Sequence, residues 1–180
     1  MQKTVLYANK LSKKSFAQFG QVIETEGSSS FWINEKKCKR FDALADIDVT
    51  RSSGHPVISI FKSRPYSIPI KLRIFERHPL GSQAIFPIKS DQFLITIAED
   101  KNGVPYNPKA FLTNGKQGVN IYKNIWHGVL TPIGRQSEFL VVDRSDPDTN
   151  LELFELTTPI EVFLPKGSTL IPPQDRDEKC

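Results

Sequence analysis

The chain has 180 residues, 38% of them hydrophobic and 24% charged, which excludes an intrinsically disordered protein and fits one domain spanning residues 1–180. The net charge is +4, and only KKCKR at 36–40 is locally basic, so a small anionic ligand is expected and a nucleic-acid partner is not. No apolar run approaches the length of a membrane span, so no membrane partner is expected.

One short helix is predicted near the N-terminus, in LSKKSFAQFG at residues 11–20. Ser12 suits the N-cap because its hydroxyl can accept a hydrogen bond from the first helical turn. Phe16 and Phe19 lie three residues apart and so share one helix face, and Gly20 stands where a helix ends.

Seven later stretches are short, rich in Ile, Val and Phe, and bounded by Pro, Gly, Asn or Ser, as β-strands are. They are residues 57–63, 70–78, 82–88, 92–100, 118–122, 138–144 and 159–165. This spacing predicts an all-β protein, and we expect an antiparallel double-sheet jelly roll whose interior can hold a ligand. The polar end of the chain, about 170–180, is predicted to be a flexible tail.

Several common functional motifs are missing from the sequence. Cys38 and Cys180 are the only cysteines and form no C-x-x-C spacing, so we expect two free thiols in a reducing cytoplasm. No G-x-S-x-G elbow or phosphate loop is present, and SSGH at 52–55 and TNGKQG at 113–118 fit turns. His55, which precedes a proline in a glycine-containing loop, is expected at the surface.

Polar residues suited to a site follow the apolar start of IKLRIFERHPL at residues 70–80. Strict alternation puts one set on a single face, Leu72, Ile74, Glu76 and His78, and the other set on the opposite face, Arg73, Phe75 and Arg77. Gln83 can return to the same place on the next strand, and His127 supplies a second imidazole beside Trp126.

Each of these residues also has a purely structural interpretation. A lone buried histidine is more often a hydrogen-bonded core residue, Glu76 can pair with a nearby Arg or with Lys62, and His127 can stack on Trp126. As a spaced set inside a β-barrel, however, the four residues favour a ligand site.

The spacing Glu76-x-His78-x4-Gln83 with a distant His127 resembles the metal-ligand layout of cupins. Two imidazoles and oxygen donors suit a borderline divalent ion, for which we expect nickel, zinc or manganese. A neutral Gln83 in place of a carboxylate leaves such an ion more positive toward a substrate.

A closer resemblance is carried by ERHPLGSQAIFP, followed in order by FLITIA, KAFLTNGKQGVNIY, IWHGVL and FLVVDR. These strings resemble the ureidoglycolate lyase family of purine and allantoin breakdown, over most of the chain. The resemblance implies a cupin-like homodimer in the cytoplasm that splits ureidoglycolate into glyoxylate and urea, as a carbon–nitrogen lyase of the amidine-lyase class.

The same resemblance implies roles for individual residues. It implies that Glu76, His78, Gln83 and His127 bind a divalent metal ion. Lys62 and Tyr122 are expected to supply or relay a proton, and the substrate-binding residues are expected to be Arg64, Asn120 and Arg40.

Three imidazoles usual in the family are absent. Two histidines and a proline usually follow the tryptophan, where this chain has His127, Gly128 and Val129. The family's Tyr-His pair after QGVN is Ile121-Tyr122, and its Arg-Tyr-His-Asp stretch is residues 40–43, RFDA. Contacts around the metal-site positions must therefore differ.

Two alternatives to a ureidoglycolate lyase remain open from the sequence. One is a catalytically silent cupin that binds a small organic acid. The other is a lyase or isomerase acting on a different 2-hydroxy acid.

Overall fold

The structure, a computed structural model, describes residues 4–50, 53–145 and 150–165. The predicted tail at 170–180 and Cys180 lie outside the described residues. The helix is α1 (Lys13–Phe16), and the strands are β1 (Val5–Tyr7), β2 (Asn9–Lys10), β3 (Gly20–Ile23), β4 (Ser30–Ile33), β5 (Cys38–Phe41), β6 (His55–Ser63), β7 (Ile70–Arg77), β8 (Gln83–Pro87), β9 (Phe93–Lys101), β10 (Val104–Leu112), β11 (Gly118–Ile121), β12 (Trp126–His127), β13 (Thr131–Pro132), β14 (Ser137–Ser145) and β15 (Glu152–Phe163).

The strands form two large sheets and one hairpin. The first sheet has the order β1-β15-β7-β12-β9-β10-β2, with β13 added to β9. The second sheet has the order β3-β11-β8-β14-β6, and β4 and β5 form a separate two-stranded hairpin. Neighbours in the two large sheets are antiparallel except where β1 meets β15 and β2 meets β10.

The main core lies between the two large sheets. β9 gives it Phe93, Ile95 and Ile97 from the first sheet, and β14 gives Phe139 and Val141 from the second. These side chains are every second residue of their strands, as the two-residue period of a pleated strand requires. The remaining members of this cluster are Leu11, Phe16, Phe19, Val22, Ile85, Phe111, Val119 and Ile121.

A second hydrophobic cluster lies on the other face of β9. Leu94 and Ala98 alternate with the residues of the main core and pack with Trp126, Phe75 and Val162, all of which lie on strands of the first sheet. The first sheet therefore curves around its own apolar face, and β1 contacts β10 across the sheet. The result is a nearly closed, cupin-like β-barrel, which confirms the predicted all-β fold.

The predicted helix is shorter than expected. The Ser12 side chain accepts a hydrogen bond from the Ser15 backbone N–H at 3.2 Å, so the predicted N-cap is confirmed. Helix α1 ends at Phe16, however, and Gly20 begins β3 instead of ending the helix. A Cβ at Gly20 would lie 2.1 Å from the Asn120 carbonyl oxygen of β11, so the glycine permits a close approach between strands. No helix among the described residues is long and apolar enough to cross a bilayer.

The predicted alternation along β7 holds only in part. Leu72 and Phe75 pack in the same cluster, although strict alternation puts them on opposite faces. The partner strand β15 shifts its register between Glu155 and Ile160, opposite this part of β7. Such an irregularity lets consecutive side chains change face, so the assignment of Leu72 to the face of Glu76 was wrong.

Candidate metal centre

The core of the candidate site is a cluster of one carboxylate and two imidazoles from neighbouring parts of the first sheet. Glu76 on β7 pairs directly with His127 on β12, and His78 follows the end of β7. One ligand atom from each residue lies within 4.8 Å of the others. The structure therefore brings together three of the four residues that the sequence spacing predicted as metal ligands.

Both imidazoles in this cluster have a backbone carbonyl oxygen close to their Nδ1 atom. His78 Nδ1 lies 2.7 Å from the Asn150 carbonyl oxygen, and His127 Nδ1 lies 3.2 Å from that of Gly128. A carbonyl oxygen only accepts hydrogen bonds, so each Nδ1 carries the proton and each Nε2 presents a lone pair. Metal-binding histidines commonly have this arrangement, in which one ring nitrogen donates a hydrogen bond to the protein and the other binds the ion.

The two Nε2 atoms have no hydrogen-bond partner in the part of the chain that the structure describes, although both are buried. The rings of His78 and His127 lie close together, with centroids 5.3 Å apart, and His127 Nδ1 is 3.6 Å from Glu76 Oε1. Two unpartnered lone pairs beside a carboxylate match the donors of a borderline divalent ion. The residues present thus fit such an ion.

Burial shapes the electrostatics of this cluster. It lowers the pKa of His127 to about 3, with repulsion from His78 adding to the effect, so the imidazole stays neutral near neutral pH. Burial also raises the pKa of Glu76, and attraction to His78 opposes that shift. A neutral imidazole is the form that binds a metal ion.

Gln83, the fourth predicted ligand, lies across from this cluster on the second sheet. It is buried at the start of β8, where it pairs with Ile121. Ile121 and Ile85 both belong to the core between the sheets, so the alternation of β8 directs Gln83 toward the first sheet. Its role as a ligand stays a prediction.

A polar cavity of about 250 Å³ adjoins His78. Its walls include Ser82, Asp143 and Ser145 as well as Asn150, the residue whose carbonyl holds His78. Sequence reasoning missed Asn150 and Gly128, because a backbone carbonyl leaves no side-chain signal. Asp143 was visible within the FLVVDR string but had received no role.

The other predicted site residues lie apart from the cluster. Lys62 is exposed on the edge strand β6, with its Nζ 3.7 Å from Glu138 Oε1. Phe139 and Val141 fill the core, so the alternation of β14 and β6 puts Glu138 and Lys62 on the outer face of the second sheet. The predicted proton-transfer role of Lys62 has no support from this position and stays a prediction.

Tyr122 and Arg64 both lie in connecting segments. Tyr122 directly follows β11, and 39% of its surface is exposed. Arg64 directly follows β6 and is exposed. Their predicted roles remain open in the chain as described.

Asn120 and Arg40 are engaged in other contacts. Asn120 is fully buried, and its side-chain amide donates to Gln21 Oε1 at 3.0 Å and to the Asp46 carbonyl at 2.8 Å. Arg40 lies on the exposed hairpin and donates to Asp42 Oδ1 through two nitrogens, at 2.7 and 3.1 Å. Their substrate-binding roles stay predictions.

Taken together, the fold and the Glu76–His78–His127 cluster define a cupin-like β protein with a centre suited to a divalent ion. A family model described as ureidoglycolate lyase matches residues 3–163 of the chain. The chain therefore belongs to the ureidoglycolate lyase family, as its sequence resemblance implied.

Curated relatives agree with this family membership. "Ureidoglycolate lyase" of Chelativorans sp. (strain BNC1) is 46% identical over 161 residues, which cover 89% of this chain and 98% of the relative. "Ureidoglycolate lyase 2" of Rhizobium meliloti (strain 1021) is 45% identical over 152 residues, covering 84% and 93%. "Ureidoglycolate lyase" of Mesorhizobium japonicum is 40% identical over 162 residues, covering 90% and 99%.

Solved structures resemble the chain only distantly. A 3,4-ketoisomerase from Helicobacter canadensis is 16% identical, with a TM-score of 0.41 and coverage of 74% of this chain and 88% of the other. RmlC from Streptococcus suis is 12% identical, with a TM-score of 0.40 and coverage of 52% and 45%. These likenesses carry no argument about function.

Proposed function

We propose that this protein is a ureidoglycolate lyase, which cleaves ureidoglycolate into glyoxylate and urea. The observation that carries the proposal is the pair of buried, unpartnered Nε2 atoms of His78 and His127 beside Glu76. Family membership supports the substrate. In chemical terms the enzyme is a carbon–nitrogen lyase of the amidine-lyase class.

The reaction is an elimination that needs no protein nucleophile. The substrate hydroxyl loses its proton, its electron pair forms the aldehyde C=O bond, and the C–N bond breaks. The departing ureido nitrogen takes up a proton, which gives urea. The protein therefore has to hold the hydroxyl and carboxylate in place and manage two proton movements.

A nickel, zinc or manganese ion is proposed at the cluster, held by Glu76, His78 and His127, with Gln83 as the fourth ligand. When bound, such an ion supplies Lewis-acid chemistry to the oxygens of a 2-hydroxy acid. The backbone carbonyls of Asn150 and Gly128 accept from the two Nδ1 atoms and leave Nε2 as the unprotonated nitrogen of each histidine. The buried surroundings keep competing water away from the reacting end of the substrate.

Proton delivery to the departing nitrogen is proposed for Tyr122, because the alternative Lys62 lies on the outer face of the second sheet, and contact with the substrate carboxylate is proposed for Arg64. Asn120 and Arg40 are proposed as further substrate contacts. These assignments rest on matching positions in the family. Tyr122→Phe is expected to lower kcat with little change in KM, while Tyr106→Phe, at a similarly exposed tyrosine on β10, leaves both unchanged.

The test of the proposed function is a product assay on purified protein loaded with each of the three metals. We expect ureidoglycolate to yield glyoxylate and urea in equal amounts, and a chelator to abolish the reaction. Binding of the substrate without product would identify a catalytically silent cupin. Turnover only of other 2-hydroxy acids would identify a related lyase or isomerase, and either result would refute the proposal.

We further propose that the protein is a cytoplasmic homodimer formed through the outer face of the second sheet. Ile58, Ile60 and Leu140 are exposed there by 72%, 56% and 38%. The Lys62–Glu138 pair on the same face supplies both charges to a self-complementary twofold interface. The cytoplasmic location rests on the exposed free thiol of Cys38, which a reducing compartment preserves.

Light scattering tests the dimer. We expect a particle of twice the 20.4 kDa monomer mass, and we expect Ile60→Glu to give the monomer. The control is Leu153→Glu, at a residue exposed by 59% on the first sheet, which is expected to remain dimeric. A dimer that persists in Ile60→Glu would exclude this face.

A further inference from the structure

Asp143 lies on the inner face of the second sheet. Phe139 and Val141, two and four residues before it on β14, are fully buried in the core between the sheets. The alternation of the strand therefore directs Asp143 toward the same interior. The register of β14 on β8 pairs Val142 with Ala84, and one further step puts Asp143 opposite Gln83.

Asp143 also lines the polar cavity that adjoins His78. Cross-strand neighbours on one face lie about 5 Å apart, so Asp143 and Gln83 belong to the same wall. That wall faces the first sheet, which carries Glu76 and His127 on β7 and β12. The lining of the cavity thus includes one member of the metal cluster, His78, and an aspartate, Asp143.

The side chain of Asp143 makes no hydrogen bond or ion pair with the described residues. Its neighbour Arg144 also lines the cavity, but its Nη1 donates to the Val49 carbonyl oxygen at 2.7 Å and its guanidinium packs against Gly54. As far as the described residues are concerned, the Asp143 oxygens are therefore available to a ligand in the cavity.

Asp143 is not a member of the metal cluster. Among the described residues, the group whose ligand atoms all lie within 4.8 Å of one another consists of Glu76, His78 and His127 and does not include Asp143. An aspartate that borders the cavity but stands outside the coordination sphere is placed to contact a substrate.

We propose that Asp143 binds the N–H groups of the substrate's ureido end and so fixes the direction in which the substrate enters. Two N–H groups on a planar urea present a fork that a carboxylate accepts through both oxygens, as it does for a guanidinium. The carboxylate end of the same substrate is repelled by Asp143 and attracted to the metal centre. This inference rests on the proposed function for its substrate class.

The orientation has a chemical consequence for the proposed elimination. The hydroxyl and carboxylate point to the histidines, while the leaving nitrogen points to β14. A 2-hydroxy acid without N–H donors leaves Asp143 desolvated and without a partner, so the residue discriminates against it.

The test measures binding with two probes that the enzyme cannot cleave. N-carbamoylglycine carries both the ureido and the carboxylate end, and oxalate carries only metal-binding oxygens. Calorimetry on nickel-loaded protein compares the parent with Asp143→Asn, and Glu155→Gln, at an exposed residue of β15, serves as the matched control. Metal content and melting temperature are measured for each variant.

We expect Asp143→Asn to bind N-carbamoylglycine about 10- to 100-fold more weakly, the effect of losing a charge-assisted hydrogen bond. Its affinity for oxalate, its nickel content and the behaviour of Glu155→Gln are expected to match the parent. Unchanged N-carbamoylglycine binding, or loss of nickel, would overturn the inference.

One further outcome separates this inference from the proposed function. A parent protein that binds N-carbamoylglycine through Asp143 but releases no urea from ureidoglycolate refutes the lyase activity and leaves the recognition role standing. If Asp143→Asn does not fold, Asp143→Ser replaces it. Failure of both to fold assigns Asp143 a structural role and overturns the inference.

Discussion

Replacing His127 by leucine separates a metal ligand from a structural histidine. Leucine has about the volume of an imidazole but no lone pair, so the substitution keeps the packing of a residue that is only 3% exposed. In the metal-free parent, the unpartnered Nε2 of His127 costs about 1–3 kcal/mol. Its removal offsets the lost hydrogen bond to Gly128, so we expect the metal-free variant to unfold within about 1 kcal/mol of the parent.

A bound metal ion changes the difference in stability between the parent and His127→Leu. An ion at a concentration of about 100 times its Kd stabilises the native state by about 2.7 kcal/mol, which for a chain of this size raises Tm by roughly 5–10 °C. Losing the His127 ligand weakens metal binding enough to remove most of this increase in Tm. We therefore expect nickel to raise the Tm of the parent and to leave that of His127→Leu almost unchanged.

Calorimetric melting with chelator and with excess nickel measures both quantities, and metal analysis after dialysis measures the bound ion. His55→Leu is the matched control, because His55 is exposed on β6 and outside the cluster. It is expected to respond to nickel as the parent does. A metal-free His127→Leu protein that is severely destabilised, yet still gains stability from nickel, would mean that His127 is a packing residue.

Three more predictions follow from the contacts. Because the pKa of His127 falls from 6.5 to about 3 on folding, this residue costs the metal-free parent no stability above pH 6.5 and about 1.4 kcal/mol per pH unit between pH 6.5 and about pH 3. Guanidinium titrations should find this slope reduced in His127→Leu. Gly20→Ala should cost about 1–3 kcal/mol in the same titrations, because its Cβ meets a backbone oxygen of β11 at 2.1 Å. Arg77→Leu should lower Tm by several degrees, because Arg77 lies 4.4 Å over the Trp126 ring and pairs with two carboxylates. Arg73→Leu, at an exposed residue of the same strand, should leave Tm unchanged.

Strands could be predicted where the residue pattern itself defines them, and were missed where only tertiary pairing does. β9 and β14 carry runs of Ile, Val and Phe between turn residues and were predicted within one residue at each end. β10 was missed because VPYNPKAFL contains Pro105 and Pro108, which argue against a strand. Pairing with β9 holds it in place, and a register shift between Tyr106 and Lys109 accommodates Pro108.

The proximity of Glu76, His78 and His127 could be predicted because these residue types carry their own chemistry. Glu76 and His78 lie two apart at the end of one strand, and His127 follows Trp126 in the apolar stretch IWHGVL. The orientation of the imidazoles could not be predicted, since it depends on the carbonyls of Asn150 and Gly128. The position of Lys62 depends on which face of an edge strand is outward, which the mixed pattern of β6 does not specify.

The free-energy cost of leaving this cluster without a ligand supports the proposal that it binds one. Two buried nitrogens on His78 and His127 have no partner among the described residues, which costs the metal-free protein about 2–6 kcal/mol, while the whole stability of a domain is about 5–15 kcal/mol. Apolar residues of similar size would remove this cost while preserving the core between the sheets. A bound ion that takes up both lone pairs would remove this cost, which supports the metal centre proposed at Glu76, His78 and His127.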